Sequence, residues 1–351
     1  MMRLSSRGLA ALLAAGVIVI AIALWVTSRQ PSPSGGAAGE LVLPQLAHSL
    51  NAISEVRLSK GDGSHTTLEK RADDWIIAER GFPADSGLVR KLLIHLSQLK
   101  VVEEKTRDPA SYPVIGVEAV TSPRATGTRI DLSIPGSKLS LIVGNPSGDD
   151  ASFVRVVGSK TSLLASPQII PESDPRHWLD DTVLSLPESR VESVRVEPAK
   201  GHAYTVARGS AQQLDFSIAE LPRGRELSSV SAANAVANAL SSLTLDDVRK
   251  ASGPPGGGLE RAIFRTFDGL TVEVSGRRDG ASRYIELAAK STTKATAAQA
   301  DEINARFAGW ELEVLGYEYD AIFQPLDGLL KPLPPRPKGK TKPAVRRRSQ
   351  R

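Results

Sequence analysis

The chain has 351 residues, a formal net charge of +5 and no cysteine. Nine Lys or Arg and no acid lie in residues 331–351, and three Arg and no acid lie in residues 1–29. Subtracting these nine and three cations from +5 leaves −7 for residues 30–330, so this part has no basic footprint for nucleic acid. The lack of cysteine excludes a disulfide framework, a thiolate metal site and a cysteine nucleophile.

Residues 8–26 form an uncharged apolar run. As a helix it would span about 28 Å, close to the hydrocarbon thickness of a bilayer. Arg3 and Arg7 precede the run and Trp25 lies at its far end, which favours a cytoplasmic N terminus. We therefore predict a transmembrane anchor in residues 1–28 that places a periplasmic ectodomain on the bacterial inner membrane. A cleaved signal peptide, with small residues at 36–39 as the cleavage site, is the alternative.

Two further segments lack the apolar residues needed for a core. Residues 29–40 are rich in Pro and Gly, which is typical of a flexible linker. Residues 331–351 are rich in Pro, Lys and Arg, which predicts a disordered basic tail. Such a tail either touches anionic lipid or cell-wall polymers or serves only to keep the protein soluble.

The pattern from residue 41 to residue 188 predicts a module of strands, then a helix, then strands. Strand alternation and hairpin turns are indicated by Ile53, Val56, Leu58, residues 61–63, Gly136 and Gly158. A helix is expected to begin at Asp85 or Ser86, with one apolar face formed by Leu88, Leu92, Leu96 and Leu99.

Residues 189–330 repeat this order. Val191 and Val194 take the places of Ile53 and Val56, and the turn at Asp268 takes the place of the turn at Gly136. A helix in the second copy carries Leu240 and Leu243, matching Leu96 and Leu99. We therefore predict an α+β fold class, in which an N-terminal transmembrane helix precedes two repeated modules of antiparallel strands with one main helix each.

No motif of a catalytic, cofactor-binding or metal site is recognisable in the sequence. The histidines show no metal-ligand spacing, and His95 is interpreted as a packing residue; they are His48, His65, His95, His177 and His202. Residues 253–258 lack the Lys-Ser/Thr of a phosphate loop and are interpreted as an inter-strand loop. Residues 144–150 are interpreted as a solvated turn rather than a calcium loop.

Two aromatic segments leave an alternative open. Trp178 and Trp310 each end a module and are interpreted as buried packing residues rather than ligand-stacking platforms. Residues 306–318 alternate aromatic and acidic side chains. Core packing is the preferred interpretation of this segment, and a docking edge is the alternative.

Several phrases in the chain resemble one known family. They are LVLPQLAHSLNAISEVRLS, DDWIIAERGFPAD, LLIHLSQLKVVEEKTRDPASYPVIGV and LDDVRKA. Together they are similar to the domain-of-unknown-function 4340 family of membrane-anchored proteins, over residues 41–330. The most specific pieces are Trp75 with Phe82–Asp85, and the turn from Asp108 to Tyr112 that leads into Gly116. The resemblance implies a partner, a gliding-motility-type ABC transporter, and implies no mechanism.

These observations predict a non-enzymatic accessory or scaffold protein. It is expected to contact the lipid bilayer through residues 8–26 and to contact an ABC transporter permease or a related envelope protein, without nucleic acid and without a cofactor. The alternative is an envelope glycan- or peptidoglycan-acting enzyme, or a binding module, that uses dispersed carboxylates.

Overall fold

The computed structural model describes residues 37–219, 221–229, 231–253 and 260–332. These residues form two units, one ending at Asp180 and the other beginning at Asp181. They are mostly antiparallel β-sheet, with 39% strand and 23% helix. The predicted α+β fold class is therefore wrong. The strands of each repeat form one large sheet, and the sequence analysis gave the helices too much weight.

The predicted anchor at residues 8–26 lies outside the described residues, as do most of the linker and the tail beyond residue 332. Within the described part of the chain, none of the helices is long and apolar enough to cross a membrane. The last residues of the predicted linker pack on the first unit. The Gly39 amide donates to the Val101 carbonyl at 2.8 Å, and the Val101 amide donates to the Glu40 carbonyl at 2.9 Å.

The first unit is built around a nine-stranded sheet with the order β4-β3-β2-β1-β6-β7-β8-β9-β5. Its strands are β1 Glu55–Lys60, β2 His65–Arg71, β3 Asp74–Ile77, β4 Phe82–Pro83, β5 Lys100–Thr106, β6 Thr128–Ile134, β7 Ser137–Ser147, β8 Ala151–Val156 and β9 Ser162–Ser166. Its α-helices are α1 Pro44–Ala47, α2 Ser86–Gln98 and α3 Tyr112–Ile115, and its 3-10 turns are Leu50–Ala52, Pro109–Ser111 and Pro175–Trp178.

The second unit has an eight-stranded sheet with the order β13-β12-β11-β16-β17-β18-β19-β15, and a two-stranded sheet of β10 and β14. Its strands are β10 Thr182–Leu184, β11 Val191–Glu197, β12 Tyr204–Ala207, β13 Ser217–Ile218, β14 Leu243–Thr244, β15 Asp247–Lys250, β16 Glu260–Thr266, β17 Leu270–Asp279, β18 Ser282–Ser291 and β19 Trp310–Glu313. Its helices are α4 Ser231–Ala237, α5 Lys294–Phe307, α6 Gly316–Ile322 and α7 Leu326–Leu329, with a 3-10 turn at Glu188–Arg190.

Apart from the extra edge strand β4 of the first unit, the two large sheets share one strand order. In each, a strand that follows the helix in sequence pairs at the far edge, as β5 does with β9 and β15 does with β19. Val56 pairs with Leu68 and Leu132, and Val194 pairs with Val206 and Phe264. The second unit differs by inserting α5 between β18 and β19. One main helix per module is therefore wrong there, because α5 has 14 residues and α4 has seven.

Apolar alternation explains the core of the first unit. Val56 and Leu58 on β1 are fully buried, whereas Arg57 between them is exposed. Helix α2 buries Leu92 and Leu96 and packs against β3, α1 and the Leu50–Ala52 turn. Each such side chain contributes roughly 1.5–3 kcal/mol when fully buried. The helix lies against one end of the sheet because its apolar stripe must be covered.

A buried carboxylate on β6 makes the stability of the first unit depend on pH. Burial alone would raise the pKa of Asp131, but hydrogen bonds from Arg129, at 2.9 and 3.0 Å, and from Ser140 lower it below its usual value. A carboxyl whose folded-state pKa is lowered stabilises the fold above its unfolded pKa of about 3.9. That contribution disappears as the pH falls through the folded-state pKa.

We expect Asp131→Asn to be destabilising at pH 7, and we expect its difference from wild type to shrink as the pH falls below about 4. The measurement is urea unfolding followed by circular dichroism at a series of pH values. Asp149→Asn is the control, since Asp149 is exposed on the β7–β8 turn. A difference between Asp131→Asn and wild type that stays constant from pH 7 to pH 2 would refute the assignment.

Candidate functional site

Helix α2 of the first unit is fixed at its N terminus by the residues around Asp85. The Asp85 carboxylate accepts hydrogen bonds from the amides of Gly87 at 2.7 Å and Leu88 at 3.1 Å, which caps the helix. The Ala84 amide donates to the Trp75 carbonyl, and the Asp85 amide donates to the Trp178 carbonyl, both at 2.8 Å. The Phe82–Asp85 segment therefore sets the position of α2 between two tryptophans.

Replacing this cap tests the helix position. Because an Asp N-cap is worth about 1 kcal/mol relative to Ala, Asp85→Ala is expected to lower the free energy of unfolding by about that amount. Asp85→Asn should retain most of the stability, because Asn also caps well. Urea denaturation of the three proteins measures both effects. Equal losses in the Ala and Asn variants would contradict a capping role.

One side of α2 borders a hollow of about 330 Å³ that we call the Trp75 hollow. Its apolar lining residues are Leu50, Trp75, Leu93 and Ile94. Its polar lining residues are Asn51, Lys70, Asp73, Ser86 and Arg90. The volume lies at the lower end of the range of small-molecule sites, about 300–1,000 Å³. It is large enough for one group of a ligand rather than for a long polymer.

The Trp75 hollow is rich in hydrogen-bond donors that have weak partners or none. The Lys70 ammonium reaches only the Asn51 carbonyl, at 3.5 Å. Arg90 is exposed and has no ion-pair partner within the described chain. The Trp75 ring is 7% exposed, yet its indole nitrogen has no hydrogen-bond partner among the described residues. These three donors border one cavity, which can therefore accept an anionic or acceptor-rich group.

The other tryptophan of this region shows the usual arrangement. Trp178 is 4% exposed, and its indole nitrogen donates to the Glu172 carbonyl at 2.8 Å. A buried indole N–H usually finds such a partner. The free indole nitrogen of Trp75 is therefore a distinguishing feature of the Trp75 hollow.

The opposite side of α2 borders a second hollow of about 290 Å³, which we call the His95 hollow. Its polar lining consists of Lys91, His95, Gln168 and His177. Its apolar lining consists of Leu88, Leu92, Ile169, Ile170 and Trp178. The sequence analysis treated His95 as a packing residue and connected it with no other histidine. The structure brings His95 and His177 to one hollow, because the chain after β9 returns to α2.

The remaining residues named from the sequence lie apart from these hollows. His48 and His202 are exposed, and His65 lies 3.7 Å from the Glu79 carboxylate. Asp149 and Asp150 are exposed on the turn between β7 and β8. Within the described ranges, no group of three or more His, Cys, Asp or Glu is arranged to hold a metal ion. The loop at residues 254–258 lies outside the described residues.

The aromatic residues at the module ends have structural positions. Trp178 and Trp310 are 4% and 7% exposed, so both are buried as predicted, although Trp178 also lines the His95 hollow. In the 306–318 segment, Phe307 is also buried, whereas Tyr317 is 71% exposed. Six of the 13 residues in this segment are buried and five are exposed, so the segment is divided between core packing and an exposed edge.

The donors of the Trp75 hollow were missed by the sequence analysis. Lys70 and Asp73 flank the β2–β3 turn, and Arg90 follows the buried Val89 on α2. The sequence signal that could have found Arg90 was its position on the helix. On an amphipathic helix, the residue after a buried position lies beside the apolar face. Register alone gives no information on which hairpin lies beside that side of the helix.

The fold is that of a two-unit antiparallel β protein with a donor-lined hollow beside a capped helix. Comparison with family models identifies the family: residues 75–261 match the model described as Domain of unknown function (DUF4340). The chain belongs to this family. The match begins at Trp75 and is shorter than the 41–330 range suggested by the sequence phrases. The comparisons found no matching curated protein and no matching solved structure.

Proposed function

We propose that this protein is a membrane-tethered extracytoplasmic accessory protein that binds a component of an ABC-type transporter or a related envelope assembly. Residues 8–26 attach it to the inner membrane with the N terminus in the cytoplasm, and the two β units lie in the periplasm. The uncharged run at residues 8–26 and the basic residues before it support this placement.

The single observation that carries the binding role is the Trp75 hollow. Its titratable lining residues are two cations, Lys70 and Arg90, and one acid, Asp73. Cations and an indole N–H hold a ligand in place by hydrogen bonds and charge. General acid–base chemistry on a glycan requires two carboxylates that flank the reacting bond, and a single acid does not provide that pair. The lining therefore supports binding.

Membership of the family supports the transporter as partner, because the resemblance implies membrane-anchored proteins associated with ABC transporters. The two β units offer surface for such contacts. A fold does not by itself specify a function, so the choice of binding surface depends on the site. The Trp75 hollow presents Lys70 and Arg90 to such a partner.

The test is co-purification of the full chain from membranes after mild detergent extraction and chemical crosslinking. We expect an ABC transporter permease or ATPase subunit to be recovered with the wild-type chain at a fixed ratio. A chain lacking residues 8–26 should appear in the soluble fraction and should lose the transporter subunit. A lone, monodisperse wild-type protein after crosslinking would overturn the proposal, and so would an intact wild-type chain found in the cytosol.

A further inference from the structure

We propose that the Trp75 hollow binds an acidic, apolar peptide segment of a partner protein, in which a carboxylate accepts hydrogen bonds from Trp75, Arg90 and Lys70. This inference rests on the proposed function and gives it a chemical recognition element. The ligand has two parts. An aliphatic side chain occupies the apolar part of the hollow, and a neighbouring carboxylate meets the donors.

Trp75 offers the hollow an indole N–H that no described residue accepts. The side chain is more than nine-tenths buried, and its indole nitrogen has no partner within the described residues. That nitrogen is also not among the fully buried unsatisfied atoms of the structure, so it retains access to solvent and can donate to water. Because Trp75 is among the residues that line the hollow, an oxygen atom of a bound ligand can replace that water as the acceptor.

The two cationic side chains of the hollow determine the charge that a ligand there should carry. Arg90 and Lys70 have no carboxylate partner in the described chain, and Asp73 is the single acid of the lining. The formal charges of these three lining residues therefore sum to +1. A guanidinium can bind a carboxylate through two parallel hydrogen bonds, which gives direction as well as charge.

The apolar lining favours a peptide over a sugar. Leu50, Leu93 and Ile94 contribute aliphatic surface to the hollow, and Ile94 is 38% exposed although it is a large apolar residue. Aliphatic surface stabilises an apolar side chain by about 25 cal/mol per Å² removed from water. A sugar presents hydroxyl groups rather than an aliphatic chain to this surface, so less apolar area leaves water when a sugar binds there. A volume of about 330 Å³ suits one large side chain with a neighbouring carboxylate.

The structure supplies a matched control for this proposal. Arg90 and Lys91 are consecutive and exposed on α2, but Arg90 lines the Trp75 hollow and Lys91 lines the His95 hollow. Lys91, like Arg90, has no ion-pair partner within the described chain. Arg90→Glu and Lys91→Glu therefore change the net charge equally, and only the first changes the proposed site.

The experiment measures fluorescence anisotropy of labelled octapeptides with the full chain in detergent micelles. The probes are alternating Leu-Glu, Leu-Gln and Leu-Lys sequences. We expect the Leu-Glu peptide to bind most tightly. Arg90→Glu should weaken it about tenfold or more, equivalent to about 1.4 kcal/mol, and Lys91→Glu should weaken it less than about threefold. Trp75→Phe keeps the apolar ring but lacks the N–H, and should weaken binding several-fold if its circular dichroism spectrum is native.

Three outcomes would overturn the inference. They are equal binding of the three peptides, equal losses in Arg90→Glu and Lys91→Glu, and displacement of the Leu-Glu peptide by an oligosaccharide of glucuronic acid at a lower concentration than by unlabelled peptide. The proposed function is tested separately by co-purification. If the wild-type chain recovers the transporter subunit but binds the three peptides equally, the inference fails and the proposed function stands.

Discussion

Gly127→Ala is expected to lower the free energy of unfolding by about 3 kcal/mol or more, because it forces a side chain into a backbone contact. A Cβ at Gly127 would lie 2.1 Å from the Gly116 carbonyl oxygen and 3.1 Å from the Val143 carbonyl oxygen. Neither acceptor is the end of a flexible side chain, so the backbone itself would have to move. Gly116 has a φ of +72° and ends helix α3, which fixes its carbonyl.

Through this close approach, the turn from Asp108 to Gly116 lies directly against Gly127. The turn packs Tyr112 into a small core, with the Arg155 guanidinium 4.7 Å from the centre of its ring. Urea denaturation of Gly127→Ala should show the loss. Gly316→Ala is the control, since nothing lies within 4 Å of a Cβ there, and it should change stability by less than about 0.5 kcal/mol. Equal effects in the two variants would show that the contact is not as tight as described.

Arg208→Met is expected to destabilise the second unit by about 3–5 kcal/mol. Arg208 is 7% exposed and its guanidinium stacks 4.6 Å from the centre of the Phe216 ring. It donates hydrogen bonds to four backbone carbonyls, at distances between 2.7 and 3.0 Å, and these belong to Glu188, Ser189, Val191 and Gln213. Methionine fills a similar volume but removes all four of these hydrogen bonds.

Lysine should not restore this stability, because one ammonium nitrogen cannot reach carbonyls on several sides as a planar guanidinium does. Arg208→Lys should therefore lose most of what Arg208→Met loses. Arg265→Met on β16 is the control, since Arg265 is exposed and should change stability little. Thermal or urea unfolding measures all three. If Arg208→Lys were as stable as the wild type, the several donors of the planar guanidinium would not be what stabilises this part of the fold.

Local elements could be predicted from the sequence because short-range patterns determine them. The hairpin turn at Gly136 is confirmed, with Ile134 paired to Ser137 across it and a φ of +74° at the glycine. The helix start is also confirmed, because Asp85 caps α2. Each of these features depends on residues that are neighbours in the chain, so turn and cap preferences suffice.

Long-range arrangements could not be predicted in this way. Strand β5 follows α2 in sequence, yet Val101 pairs with Ala165 of β9 at the far edge of the sheet. No local pattern specifies that partner, since any alternating strand can pair with another. The fold class was misjudged for the same reason. The sequence analysis counted helices as equal elements, whereas pairing between distant strands builds one large sheet in each unit.

The candidate site depends on such distant contacts as well. The Trp75 hollow combines the β2–β3 turn, the Leu50–Ala52 turn and α2. Trp75 was singled out from the sequence by its resemblance to the family, but its free indole nitrogen is visible only once its neighbours are placed. The His95 hollow likewise requires the chain after Ser166 to return to α2. The residue types in the sequence were therefore not enough to predict either hollow.

The central claim is that the surface around the Trp75 hollow contacts a transporter component, and site-specific photocrosslinking in membranes tests it most directly. A photoreactive phenylalanine analogue would replace Ile94 in the hollow or, as a control, Leu214 in the second unit, which is 80% exposed. The account predicts a cross-link from position 94 to a permease subunit, identified by mass spectrometry and abolished by Arg90→Glu, and none from position 214. Equal cross-linking from both positions, or none from position 94, would contradict it.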